Sequence, residues 1–137
     1  MQSRDEYPGS LAELTTDECW AMLRDRPFGR VAWSGPDGIH VIPVNYVVRH
    51  ATIVLRTTPY SLLAQRAGDL EVAFEVDRID ENARSGWSVV AQGRCRRADI
   101  PAADTPEPWA DGTRVLALQI DVRSISGRRL RSHFEPA

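Results

Sequence analysis

The chain has 137 residues, a net charge of -2, 42% hydrophobic and 26% charged residues, the make-up of one globular domain that hides roughly two thirds of its unfolded surface. That balance offers no global reason to seek nucleic acid. No stretch approaches the about eighteen apolar residues of a membrane span, and residues 1–10 lack the apolar core of a secretory signal, so a cytoplasmic protein with neither nucleic acid nor membrane as partner is expected.

A single domain over residues 1–137 is expected, with residues 1–12 polar and flexible. Thr15-Thr16-Asp17-Glu18 then reads as a helix start. Thr15 can cap while Glu18 reaches back to it, and the acids suit the positive end of the helix dipole. Trp20, Leu23 and Met22 supply the apolar face, and Pro27 stops the helix. Gly29-Arg30-Val31-Ala32-Trp33 begins a strand that turns at Pro36-Asp37-Gly38, a composition suited to a tight hairpin. The return strand covers residues 39–48, and a second turn near Arg49 and His50 leads into the β-branched run of residues 52–57. Leu62, Leu63, Arg66 and Ala67 suit a short helix ended by Gly68. Residues 71–76 alternate as a strand, and residues 87–97 form a long one that Gly93 interrupts, where a bulge or a close backbone approach is expected. Residues 99–112, with three prolines, read as a loop with room for a short helix. Residues 114–122 form the sixth strand, and residues 123–137 an arginine-rich C-terminal strand or tail.

Short hairpins, small helices and no alternation of strands with long helices argue for a mainly β chain, a closed or partly closed antiparallel barrel rather than a doubly wound sheet.

Cys19 and Cys95 read as reduced structural thiols, and no cysteine-histidine spacing resembles a zinc site, so no metal is expected. His40, His50 and His133 have no convincing carboxylate or cysteine partner in sequence, so no nucleophilic triad is supported and no catalytic residue is assigned. All 17 basic residues are arginine. Without lysine there is neither a Schiff base to pyridoxal phosphate nor a P-loop lysine, so any phosphate must be held by arginine, hydroxyls and backbone amides.

Three segments can carry chemistry. Residues 54–63 run from strand to helix through Arg56, Thr57 and Ser61. Amides at a helix start, hydroxyls and an arginine suit an anion, and an ordinary solvated strand end with a helix cap fits the same composition. In Val44-Asn45-Tyr46, an asparagine among β-branched residues serves a turn, a bulge or a ligand, or simply faces solvent on an edge strand. Pro43 cannot donate to a ladder, which leaves that strand free on one side. Trp87 and Ser88 open a strand where tryptophan packs, stacks on a planar ring or anchors an interface. The cluster Arg123, Arg128, Arg129 and Arg131 lacks interleaved aromatics and reads as a solvated or interface strand.

Taken in order, Glu18-Cys19-Trp20, Gly29-Arg30-Val31-Ala32, Pro43-Val44-Asn45-Tyr46, Leu55-Arg56-Thr57, Val72-Ala73-Phe74-Glu75-Val76-Asp77 and Trp87-Ser88-Val89-Val90 with Gly93 resemble the pyridoxamine 5'-phosphate oxidase-like FMN-binding split-barrel family. Its short uncharacterised branch is the nearest. The resemblance extends from about residue 15 to about 97, and more weakly to Gly127-Arg128-Arg129-Leu130. It implies a six-stranded antiparallel split barrel, paired as a homodimer with a cofactor at the subunit interface. It also implies a flavin-dependent oxidoreductase acting on an unidentified small-molecule substrate. By the same resemblance Val44, Asn45 and Tyr46 lie along the isoalloxazine ring, Arg56, Thr57 and Ser61 hold the phosphate, and Trp87 and Ser88 close the ring side from the partner.

Leu62 stands where family members commonly carry a basic residue, and loss of one charge-assisted contact costs about 1.5–3 kcal/mol, so a weakened FMN site is implied. Arg66, one helical turn on, is placed to compensate, while Tyr60 replaces a usual small residue. Arg128, Arg129 and His133 match the oxidase's own substrate-phosphate groups poorly, so oxidase activity on pyridoxamine phosphate is not expected. Two alternatives remain: a reductase using the deazaflavin F420, whose acidic tail would need a basic track such as Arg49 or the C-terminal arginines, and a barrel that binds flavin or heme without turnover or holds no ligand and acts as a dimeric scaffold.

Overall fold

The computed structural model describes residues 10–57, 62–66, 70–98, 106 and 116–132. In chain order the elements are β1 (Ser10–Glu13), α1 (Thr16–Arg24), β2 (Phe28–Gly35), β3 (Gly38–Arg49), β4 (Thr52–Thr57), α2 (Leu62–Arg66), β5 (Leu70–Asp80), β6 (Ser85–Arg97) and β7 (Leu116–Arg131). Strands β7-β4-β3-β2-β5-β6 pair antiparallel in that order, and β6 pairs back to β7, so six strands close a ring. This is the expected six-stranded split barrel, with the short β1 added along β7.

The split lies along β7. One edge of β7 pairs with β6, while the other pairs with β4 over residues 116–121 and with β1 over residues 128–131. Between those stretches that edge meets no described strand, and its backbone finds other partners: Leu14 N donates to Gly127 O (2.9 Å) and Val122 N to Ala51 O (3.3 Å). Helix α1 packs across this opening against β7, β3 and β6.

Local chemistry accounts for the elements. The expected capping box forms, with Glu18 N donating to Thr15 Oγ1 (3.2 Å) and Thr15 N to Glu18 Oε1 (2.8 Å). Those bonds to Thr15 hold the Glu18 carboxyl below its ordinary range. Helix α1 buries Cys19 and Leu23 outright and half-buries Trp20 and Met22. The β2–β3 hairpin closes through Pro36 and Asp37, with Gly38 at φ +124°, a value that β-carbon sterics reserve largely for glycine.

The interior follows the two-residue period of a strand. Val31 and Trp33 of β2, Val72, Phe74 and Val76 of β5, and Val89, Ala91 and Cys95 of β6 face one core with Leu23, Ile53, Leu55, Leu63, Leu118 and Ile120. Burial pushes the Cys95 thiol up to about 12, so it serves as a small apolar filler. Gly93 sits at a register shift in the β6–β7 ladder, directly against the Asp121 backbone, as its place in the strand suggested.

Two boundaries differ from expectation. Residues 10–12 belong to β1 rather than to a flexible end, because β7 offers them a backbone edge. The sixth strand does not stop at residue 122: β7 runs on to Arg131, because β6 and β1 pair with the arginine-rich stretch from both sides. Arg128 and Arg131 stay exposed while their backbones complete the sheet. Gly68, Tyr60 and nearly all of residues 99–112 lie outside the described residues.

Candidate functional site

Strand β3 changes partner at its middle. Residues 38–45 pair with β2 and residues 46–49 with β4, so Pro43 sits where one side of the strand meets no described strand, which suits its missing N–H. Asn45 is the last residue of the first ladder. Val44 and Tyr46 point into the barrel and are buried, whereas Asn45, between them, points outward and is half-buried.

Tyr46 is fully engaged. Its hydroxyl donates to Leu23 O at 2.5 Å, and its ring meets Phe74 edge-on at 4.8 Å. Burial raises its phenol well above the ordinary value, and the nearby Arg26 charge acts in the opposite direction. Asn45 Nδ2 and Tyr46 N both donate to Pro27 O, each at 3.2 Å. The segment between α1 and β2 is thereby fastened alongside β3.

This fastening forms a cleft of about 610 Å³, lined by Leu23, Arg24, Arg26, Pro27, Asn45 and Val47, with Asp25, Tyr46, Val48 and Pro106 completing it. Arg56 of β4 adjoins the cleft through Pro106, to whose carbonyl its Nη1 donates at 3.2 Å. The β3–β4 ladder starts at Tyr46 opposite Leu55, so Arg56 follows alongside Asn45 on the outer side. Thr57, half-buried, ends β4. Ser61 lies outside the described residues, as does the side chain of Leu62, which opens α2; Leu63 and Ala64 behind it are buried.

Trp87 and Ser88 fall elsewhere. Ser88 lines a groove of about 690 Å³ between β1, β6 and β7, together with Leu11, Glu13, Val90 and Arg128. Trp87 packs partly against the core and opens onto an adjoining surface with Ile79 and Leu130. Within one protomer, Asn45 and Tyr46 line one cleft with Pro106, whose carbonyl accepts from Arg56, whereas Trp87 and Ser88 occupy a separate groove.

The segment Arg24-Asp25-Arg26-Pro27 and the outer-face pair Glu75 and Asp77 are surroundings that the sequence did not single out. Arg30 Nη1 stands 3.3 Å from Glu75 Oε1 and 3.6 Å from Asp77 Oδ2. Burial first, and then the hydrogen bond and charge of Asp77, raise the Glu75 carboxyl to about 7. A helix stop flanked by two arginines was the visible signal for the first group. The alternation of Glu75 and Asp77 on the outward positions of a strand was the signal for the second. Among the described residues, no group of three or more histidine, cysteine or acidic side chains is arranged to hold a metal. No described helix is long and apolar enough to cross a membrane.

Comparison with known proteins follows the fold closely. The family model for pyridoxamine 5'-phosphate oxidase matches residues 15–129. The uncharacterized protein Rv0080 of Mycobacterium tuberculosis is 26% identical over 130 residues, covering 88% of this chain and 86% of that protein. Among solved structures, the FAD binding protein of Mycobacterium smegmatis is 28% identical with a TM-score of 0.72, over 89% of this chain and all of that one. The conserved protein of unknown function DIP1874 of Corynebacterium diphtheriae is 27% identical with a TM-score of 0.72, over 88% of this chain and 98% of that one.

Proposed function

The chain belongs to the pyridoxamine 5'-phosphate oxidase family, and from that membership we propose that it binds a flavin in the cleft of Asn45 and Arg56 and acts as a flavin-dependent oxidoreductase. The carrying observation is the outward-facing Asn45, placed where β3 changes partner, in a cleft whose Pro106 carbonyl accepts from the guanidinium of Arg56. The residues present fit the group. A cleft of about 610 Å³ with an apolar floor lies within the usual range for small-molecule sites, about 300–1,000 Å³. Asn45 offers an amide that can both donate and accept, and Arg56 offers a charged donor fork for a phosphate.

A bound flavin supplies the hydride or electron transfer. The protein's residues place and shelter it. Asn45 hydrogen-bonds a polar ring edge, Arg56 with Thr57 and Ser61 neutralises the phosphate, and Pro27, Val47 and Val48 keep water from the ring. Tyr46 acts indirectly by holding the Leu23 carbonyl and with it the wall of the cleft. With Leu62 at the start of α2, Arg56 is the principal charge for the phosphate.

A homodimer completes the site in this reading, with the partner's Trp87 and Ser88 covering the ring. Ile39 and Val41, 78% and 58% exposed on the outward row of β3, give such a dimer apolar surface to bury. A cytoplasmic setting agrees with the two buried free cysteines.

The test is titration of purified protein with FMN, FAD and F420, read by flavin absorbance, fluorescence and thermal shift, alongside Arg56→Ala. Micromolar or tighter FMN or FAD binding is expected, weakened in Arg56→Ala by about ten- to a hundredfold, the equivalent of one charge-assisted hydrogen bond. A dimer that takes up neither flavin at high concentration would refute the reading. Unchanged affinity in Arg56→Ala would move the phosphate away from this residue.

A further inference from the structure

We infer that Arg30, Glu75 and Asp77 form a protonation-controlled lock between two copies of the chain, which pair tightly while Glu75 is protonated and loosen as it ionises, so that the flavin site they share opens with them. The inference rests on the flavin reading, in which Asn45 of one protomer and the partner's Ser88 meet at one ring, and it adds the regulation of that site.

Ladder registers place the cluster midway between those two residues. The sheet runs β3-β2-β5-β6, and one outward row across the four strands consists of Pro43, Arg30, Glu75 and Val90. The row on one side of it holds Val41, Ala32, Ala73 and Gln92. On the other side Asn45 pairs with Phe28 and Ser88 with Asp77. Asn45 and Ser88 thus share one outer face, three strand steps or about 14 Å apart. A two-fold pair that sets Asn45 against the partner's Ser88 also sets Ser88 against the partner's Asn45. The surface between them then lies against its own copy, and its midpoint falls between β2 and β5, where Arg30 faces Glu75.

That surface is short-chained and apolar except at its centre. Val41, Pro43, Ala32, Ala73 and Val90 allow two sheets to approach, whereas the charges on it among the described residues are Arg30, Glu75 and Asp77. Arg30 Nη1 stands 3.3 Å from Glu75 Oε1 and 3.6 Å from Asp77 Oδ2. Two carboxylates against one guanidinium leave one negative charge in each protomer, and pairing sets two such clusters together out of water. Like charges so placed oppose association. A proton on Glu75 makes each cluster neutral and lets the carboxyl donate to Asp77.

In the single protomer, burial first, and then the hydrogen bond and charge of Asp77, already raise the Glu75 carboxyl to about 7, with Arg30 opposing. The remaining groups around the cluster are uncharged: Pro43 of β3, and Val90 and Ser88 of β6. The next charge outward is Arg128 of β7, opposite Ser88. Pairing removes more water and brings up the partner's Glu75 and the partner's Asp77, both of which push the carboxyl in the same direction. The paired state therefore holds its protons more firmly than the separate chains do. Association is strongest below about 7 and falls as pH rises through that value, by up to about a hundredfold per pH unit when both copies release a proton.

The test is sedimentation equilibrium of the full-length chain from about pH 6 to about pH 8.5 at constant ionic strength, with and without FMN, for wild type, Glu75→Gln and Arg30→Gln, with circular dichroism to verify the fold of each. The wild-type dimer is expected to weaken at least about tenfold across this range. Glu75→Gln, neutral at every pH, should stay paired throughout. Arg30→Gln removes the charge that favours ionised Glu75 and should move the fall to higher pH. FMN affinity should track the paired fraction. A dimer constant that ignores pH, a monomer at every pH, or a folded Glu75→Gln with the wild-type profile would each overturn the inference. Should Glu75→Gln fail to fold, Arg30→Gln decides, and a fall left in place or moved to lower pH overturns the lock. If flavin binds while pairing ignores pH, the lock is wrong and the flavin reading stands. If pairing follows pH as stated and no flavin binds, the lock between copies stands and the flavin reading falls.

Discussion

The pair Glu75 and Asp77 makes the stability of this barrel depend on pH in a calculable direction. Both carboxylates project from β5 toward the outside of the sheet, opposite Val90 and Ser88 of β6, with Arg30 of β2 bridging them. Burial holds the Glu75 carboxyl at about 7 against an ordinary 4.5, with the hydrogen bond and charge of Asp77 adding to the rise and Arg30 opposing it. A carboxyl raised in the folded state favours the protonated fold. Its stabilising contribution is therefore complete below about 4.5 and is lost as pH rises toward about 7. At about 1.36 kcal/mol per pH unit, a rise of this size would amount to about 3 kcal/mol in a sealed site. The side chains are 32% and 30% exposed and Arg30 is more so, and solvent screening reduces the effect to about 1 kcal/mol. Glu75→Gln keeps the shape and the hydrogen bond without the charge. Thermal and urea unfolding at constant ionic strength should show the wild-type midpoint falling across this window. The variant's curve should be flatter, and above about pH 7 the variant should be the more stable by about 1 kcal/mol, roughly 3–5 °C for a domain of this size. Identical slopes for the two proteins, or a wild-type midpoint that climbs with pH while the variant's does not, would refute the reasoning.

Gly93→Ala should be among the costliest single changes. Its new β-carbon would strike the Asp121 carbonyl oxygen and lie 2.8 Å from the Asp121 carbonyl carbon and 3.0 Å from Val122 Cα. Because β4 and β6 both pair with Asp121, the strand cannot retreat without breaking ladder bonds, and a loss of about 2–4 kcal/mol is expected in urea unfolding; a midpoint within about 2 °C of wild type would contradict the bulge geometry. Thr15→Ala removes one half of the capping box and should lower stability by about 1 kcal/mol, while Thr15→Asp, which can still cap, should recover most of it by the same measurement. Phe74→Leu, in the fully buried contact with the Tyr46 ring, should cost about 1–3 kcal/mol. If the Tyr46 ring helps to hold the cleft wall, that change should also weaken flavin binding in the titration described above.

Much of the fold was legible because its signals are local. The capping box needs only Thr15 and Glu18, the first hairpin needs Pro36, Asp37 and Gly38, and the β-branched runs announce β3, β4 and β6 through side-chain shape alone. Asn45 was legible as an oddity in such a run, and its outward direction follows from the two-residue period once Val44 and Tyr46 are known to be buried. Arg26 was not legible. The residues that share its cleft, Asn45, Val47 and Pro106, are distant in sequence, and the hydrogen bonds to Pro27 O that hold its segment beside β3 belong to a pairing no periodicity encodes. The extent of β7 was legible only in part for a related reason: an arginine-rich stretch reads equally as a strand or a tail until both of its edges are seen to be paired.

Residue order and local chemistry thus determined every element but β1, the six-strand count of the ring, the family and the choice of Asn45 and Arg56 as candidate residues. Tertiary structure alone decided that β6 and β7 close the ring, that Trp87 and Ser88 stand in a different groove from Asn45, and that two arginines overhang the cleft. The physical reason is the range of the interactions: caps, turns and alternation act within a few residues, whereas ladder pairing and burial join segments whose proximity exists only after the chain has closed on itself.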